Sequence, residues 1–419
     1  MSSMFTSLRL FNYRVWFIGA LVANIGTWMQ RVAQDWLVLA VLPEGSAVHV
    51  GIVTGLQFLP VIFLSPLAGL IADRVDRRKM LITTQAGMGL LALALGLLVL
   101  LGTATVYHVY FFALALGVFS AFDAPVRQVF VSDIVPASSL ANAVALNSAS
   151  FNAARLVGPG LAGVLISLFG GGAVATGWVI LLNAASYAAP IISLRRLDTA
   201  LLDTPEPSSS RGLVALREGL AYVRRRPDLL MVLAIVFSVG TFGLNFQLTS
   251  ALMATEVFDR GATEYGLLGS FLAVGALAGA LFAARRAVFS LRLVVAAAIV
   301  FGLVEIVAGL APSYATFALL CPVLGLASLT LITSANGYMQ MNTGAGVRGR
   351  VMALYLMVFM GGTPVGAPVI GWIGEVFGAR WTLLLGGVLT VLGVAVAAGL
   401  YHITRTSRTP VLTLARASE

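Results

Sequence analysis

An apolar run from His49 to Ala72 ends in a charged turn, and a second apolar run, Met80 to Gly102, begins directly from it. Each run is long enough to cross a hydrocarbon core of about 30 Å as a helix. Lipid offers a free backbone no partner, so a chain threaded this way is restricted to helices through the core. The turn, Asp73-Arg74-Val75-Asp76-Arg77-Arg78-Lys79, packs six charges into seven residues, four of them basic. That excess of basic residues places the turn on the cytoplasmic side.

The pattern recurs along the whole chain. Twelve spans are predicted, at about 15–41, 49–72, 80–102, 106–128, 141–169 and 174–194, then 229–256, 263–284, 291–311, 315–339, 349–377 and 380–403. Of 26 Lys and Arg, all but Arg31, Arg155, Arg260 and Arg380 fall in segments assigned to one side. Both termini are therefore expected in the cytoplasm, and the net charge of +9 reflects topology and contact with lipid head groups, not nucleic acid. With 59% hydrophobic and 10% charged residues, no soluble domain of this length is on offer. The single cysteine, Cys321, and the scattered His49, His108 and His402 supply neither a disulfide framework nor a metal cluster. The first apolar run lacks a small-residue cleavage site and reads as a retained span.

Two halves are legible, 1–195 and 229–404, with a tail at 405–419. Shifted by 208 residues, the fifth span overlays the eleventh: Gly158, Gly163, Phe169 and Gly170 meet Gly366, Gly371, Phe377 and Gly378. Two six-span halves of like orientation are a parallel repeat about an axis normal to the membrane. Between them, 196–228 opens with Pro205, Pro207 and Ser208 to Ser210, a flexible composition. It continues with Leu213, Leu216, Leu220 and Val223 at helical spacing, which predicts an amphipathic helix lying either on the membrane surface or in solvent.

The arrangement Gly69-x-x-x-Asp73-Arg74-x-x-Arg77-Arg78-Lys79 resembles the signature between the second and third helices of the major facilitator superfamily, with Asp76 where a glycine is common. Gly158-Pro159-Gly160-Leu161-Ala162-Gly163 is similar to the fifth-helix signature of that superfamily's antiporters, with Ala162 in place of a glycine. Further phrases resemble the bacterial exporter branch that includes the enterobactin exporter and drug:proton antiporters. They are Trp28 to Leu37, Asp123 to Gln128, Asn142 to Ser148 and Phe151 to Arg155, and the likeness runs from about Phe11 to Arg405. The resemblance implies an all-α integral membrane protein of twelve transmembrane helices, in two pseudo-symmetric six-helix halves. It also implies efflux across a bacterial cell membrane. Gly69, Asp73, Arg74, Arg77 and Arg78 would then form a conformational latch, with Asp73 either pairing with Arg77 or facing the start of the eleventh span near Gly349 and Arg350. Gly158, Pro159 and Gly163 are expected to kink the fifth span and bring another helix close.

Charges inside spans are costly and mark candidate functional groups. Arg31 and Asp35, four apart on one helix face, can neutralise each other; alternatively Asp35 cycles a proton. Asp123 is the second coupling candidate, although its place near a span end also fits an anchor for Arg127. Arg155 either partners Asp35 or meets an anionic group, and Glu305 is expected in a structural or lipid-edge position. Trp28, Gln30, Gln34, Trp36, Asn147, Asn152, Phe242, Asn245, Gln247, Asn336, Tyr338, Met339 and Gln340 are the remaining cavity candidates, an amide and aromatic set suited to varied amphipathic ligands. Together these features predict a secondary active exporter of small amphipathic molecules and not an enzyme, since the scattered histidines and the single cysteine supply no nucleophile–base or metal constellation. The polar segments contain no Walker-type loop, so a proton gradient is the expected driving force, with no cofactor and a monomeric state. A dedicated siderophore exporter and a non-transporting membrane scaffold are the alternatives.

Overall fold

The computed structural model describes residues 3–43, 45–72, 75–202, 212–284, 289–344 and 347–406, and every regular element among them is helical. The first half comprises α1 (Phe11–Trp36), α2 (Ala47–Ala72), α3 (Arg77–Leu100), α4 (Val106–Asp133), α5 (Ala137–Leu168), α6 (Ala173–Ser186) and α7 (Ala188–Arg196). A linker helix, α8 (Gly212–Arg224), precedes α9 (Pro227–Ser238), α10 (Phe246–Leu252), α11 (Ala262–Ala284) and α12 (Leu291–Gly309). The chain then forms α13 (Tyr314–Met341), α14 (Arg348–Gly361), α15 (Thr363–Phe377) and α16 (Ala379–Thr406). Local chemistry starts several of these. The Asp76 side chain accepts from the Lys79 amide, Ser290 from Leu293 and Ser313 from Thr316.

Eleven helical spans among the described residues are long and apolar enough to cross a membrane. The first span, α1, has the length but carries Asn12, Arg14, Gln30, Arg31, Gln34 and Asp35. It is tolerated because α5, α6 and α7 surround it. Large apolar side chains such as Leu319, Leu168 and Leu101 point outward, as a lipid-facing surface requires.

Four predicted spans depart from a continuous α-helix, the first by ending in a π-helical turn at Leu37–Val41. The sixth divides at Tyr187, where Pro190 removes the donor that would have continued the helix. The seventh widens into π-helical turns at Val239–Gly243 and Met253–Val257, and the eleventh breaks at Gly362 before Pro364. The fifth, by contrast, runs unbroken through Pro159. Its Gly-Pro-Gly motif serves close approach and not interruption.

The halves meet chiefly through α2 with α15 and α5 with α11. A side chain at Gly163 would strike the backbone of Ala262, and one at Gly371 the backbone of Ala47. Likewise Gly266 lies on the Pro159 carbonyl and Gly51 on that of Ala367. Partners 208 residues apart on one side therefore meet partners 215 apart on the other, so the internal repeat is realised as matched helix contacts. Ala47 and Ala262 begin their helices, so these contacts close the arginine-poor end of the bundle.

At the arginine-rich end, Arg77 holds Asp133 through two bonds of 2.8 and 3.0 Å, and Arg78 donates to the Leu194 carbonyl at 2.6 Å. Asp73, Arg74 and the surroundings of Gly69 lie outside the described residues, as do the side chains of Leu213 and Leu216. The linker helix docks on α14: Gly219 abuts the Arg350 backbone, and Glu218 pairs with Arg350 at 2.5 Å. Protein contact, rather than lipid or solvent alone, holds it.

Candidate functional site: a chamber between the halves

Gly158 lets α5 lie directly on α1, because any side chain there would meet the Trp28 Cβ. Arg155, one turn earlier on α5, thereby reaches the Trp28 indole, with its guanidinium 5.5 Å from the ring centroid. Arg31, one turn after Trp28 on α1, stacks on the same ring at 4.9 Å and on Phe58 at 5.8 Å. These residues wall two adjoining chambers of about 230 and 410 Å³.

The opposite wall comes from the broken helices. Gly240 sits on the Phe359 carbonyl and Gly362 on Thr241, so the interruptions of the seventh and eleventh spans pack against each other. That places Leu244, Phe246, Phe359 and Met360 on the chambers. Discontinuous helices facing a midplane cavity are a recurring way to bring irregular backbone to a ligand.

Trp28, Arg31, Arg155, Asn245 and Gln247 thus line the chamber as expected from sequence. Other candidates point elsewhere. Gln30 is buried against Asn183 of α6, Gln34 is buried with its amide nitrogen unpartnered, and Trp36 donates to the Gly171 carbonyl at 3.0 Å. Asn152 bonds back to the Ser148 carbonyl at 2.8 Å, and neither it nor Asn147 lines either chamber. Phe242 sits in the π-helical turn with its carbonyl toward Gly386. Tyr338 donates to Asp228 at 3.0 Å, tying α13 to α9; Met339 is core, and Gln340 and Asn336 bond each other at 2.5 Å.

The charged groups also depart from expectation. Among the described residues Arg31 and Asp35 form no ion pair within 4.0 Å. Instead, Asp35 accepts a 2.9 Å bond from Tyr265 of α11, across the interface of the halves. Arg155 does not reach Asp35 either. Glu305 is not at a lipid edge: it is 2% exposed, lines the larger chamber beside Phe301, and its Oε2 lacks a partner. Nothing in the pattern of α12 alone distinguishes an inward from an outward carboxylate.

Asp123 is saturated. It accepts from Thr84 and Gln85 at 2.7 Å each and from Arg127 at 2.6 and 2.8 Å. Such a carboxylate acts as a fixed counter-charge tying α3 to α4. Asp123→Asn is therefore expected to destabilise the protein by about 3 kcal/mol, because it leaves Arg127 uncompensated. Thermal unfolding in detergent checks this; an unchanged midpoint with lost uphill transport would return Asp123 to a coupling role.

A family model described as transmembrane secretion effector matches residues 2–409. The chain is 29% identical over 376 residues to the multidrug efflux pump Tap of Mycolicibacterium fortuitum, spanning 87% of this chain and 90% of that one. It is 22% identical over 382 residues to the staphyloferrin A transporter of Staphylococcus aureus, spanning 90% and 93%. Among solved structures it resembles a D-xylose-proton symporter, with a TM-score of 0.69, 14% identity and coverage of 93% and 97%. It also resembles a bacterial homologue of the human lysosomal transporter Spinster, at 0.67, 15%, and 94% and 96%.

Proposed function

The chain belongs to the transmembrane secretion effector family and is a multi-pass major facilitator transporter, and from that premise we propose that it exports amphipathic small molecules across the bacterial plasma membrane in exchange for protons. One observation carries this reading: a largely apolar chamber lies between two halves whose arginine-poor ends are sealed by glycine-mediated helix contacts. Sealing at one end, with the chamber beyond it, is the arrangement that alternating access needs. With the arginine-rich end placed in the cytoplasm, closure of the opposite end is consistent with a state that loads substrate from inside.

Asp35 is the coupling group in this proposal. Its bond to Tyr265 crosses the sealed end, and a hydrogen bond to an ionised carboxylate is stronger than one to the acid. Binding or loss of a proton at Asp35 therefore changes how firmly the outer end is held, which links protonation to its opening and closing. Arg31, one turn away, and Tyr265 both line the smaller chamber, which gives the proton an exit toward the cytoplasm.

The test is uptake of a panel of amphipathic fluorophores, of either charge sign, by inverted membrane vesicles containing the protein. Accumulation that a protonophore abolishes is expected. No accumulation of any member, or accumulation indifferent to the protonophore, would overturn the proposal.

A further inference from the structure

Arginines elsewhere in this bundle have partners suited to them. Arg77 and Arg127 hold carboxylates, and Arg380 donates to the carbonyls of Gly309 and Ala311 at 2.9 and 2.8 Å. Arg31 and Arg155 differ. Both stack on the Trp28 ring, both line the two chambers, and among the described residues neither takes part in a hydrogen bond or an ion pair. A ring face offsets only part of what it costs to hold a guanidinium away from water.

The carboxylates nearby balance this pair only in part. Asp35 attracts Arg31 from one turn away without forming an ion pair with it, being hydrogen-bonded by Tyr265, and Glu305 is the one carboxylate among the residues lining either chamber. Glu305 belongs to α12, where it adjoins Gly243 and Gly386, and it walls only the larger chamber. Two cations thus converge on one side of a cavity whose remaining surface is mainly aromatic and aliphatic.

We propose that this is an anion site: the transported molecule is an amphipathic organic acid whose carboxylate sits between Arg31 and Arg155, with its apolar body against Phe58, Phe246 and Leu272. A planar guanidinium can take a carboxylate through two parallel bonds, and both guanidinium-bearing residues line the same two chambers. The larger chamber accommodates a body of moderate size, and its apolar walls discriminate only weakly among bodies of similar area. Selection by charge with tolerance of shape follows. This deepens the export reading and rests on it for the ligand's fate, but the binding site itself stands or falls separately.

The test is calorimetric titration of the purified protein in a non-ionic detergent with naphthoate, its primary amide and the corresponding aminomethyl cation. These share one ring body and differ in charge. Naphthoate is expected to bind about tenfold tighter than the amide, with the cation weaker still, since a charge-assisted hydrogen bond exceeds a neutral one by roughly that factor. Arg31→Gln or Arg155→Gln should bring the acid to within about threefold of the amide, while Arg155→Lys keeps part of the preference. An unchanged elution volume and thermal unfolding midpoint in the same detergent show that the variants remain folded. Equal binding of all three by the wild type, no measurable binding of the acid, or an acid preference that survives Arg31→Gln with Arg155→Gln, would overturn the proposal. Acid binding without protonophore-sensitive uptake into vesicles would leave the anion site standing and remove the export reading. Uptake of cationic fluorophores with no acid binding would do the reverse.

Discussion

Asp35→Asn is expected to abolish uphill transport driven by an imposed pH gradient while leaving the folded protein in the membrane. Asparagine matches the carboxylate in size, and its carbonyl oxygen can still accept the bond that Tyr265 donates. What it cannot do is bind and release a proton. For a one-for-one exchange, a gradient of about two pH units corresponds to about 2.7 kcal/mol, or about hundredfold accumulation at equilibrium. The variant should fall to a ratio near unity in proteoliposomes while keeping downhill exchange. Wild-type accumulation by Asp35→Asn would move the coupling role away from this residue, and Glu305, buried with an unpartnered oxygen, becomes the next carboxylate to replace.

Gly266→Leu and Gly51→Leu should each hold the arginine-poor end open. In the closed arrangement any side chain at Gly266 meets the Pro159 carbonyl, and one at Gly51 meets that of Ala367. Backbone cannot yield as a flexible side chain can, so closing over the added atoms costs about 1–3 kcal/mol. Because the penalty falls on the closed state alone, the equilibrium shifts by about 5–150-fold. Ser250, which lines the smaller chamber, reports the change when replaced by cysteine in a Cys321→Ala background. A membrane-impermeant maleimide added from the outer face should label it at least about tenfold faster in the leucine variants, and net transport should drop. Unchanged labelling together with unchanged transport would show that the glycine contacts are not the gate.

The helical spans and the repeat were legible in the chain because each rests on information held within one segment. A run of apolar residues as long as the membrane is thick must be a helix, whatever surrounds it. Arg31 and Arg155 stood out for a related reason: a charge inside a span is too costly to be incidental. Interruptions were harder to place. Pro159, expected to kink α5, lies within one continuous helix, while Pro190 and Pro364 accompany divisions at Tyr187 and Gly362, and no proline marks the one near Gly240.

The sequence by itself determined that this chain spans the membrane many times, that its two halves repeat, and that a few charges in the spans are candidate functional groups. Only the tertiary structure decided which of those charges meet. Asp35 lies four residues from Arg31, yet its hydrogen bond goes to Tyr265, 230 residues away. Glu305 turns toward the chamber, Asp123 is saturated by its neighbours, and Phe58, Phe246 and Phe359 line a cavity with no motif to distinguish them. The physical reason is that hydropathy and periodicity describe one helix at a time. Whether a side chain on that helix faces lipid, a packed neighbour or an open chamber depends on where glycines allow another helix to approach, often hundreds of residues along the chain.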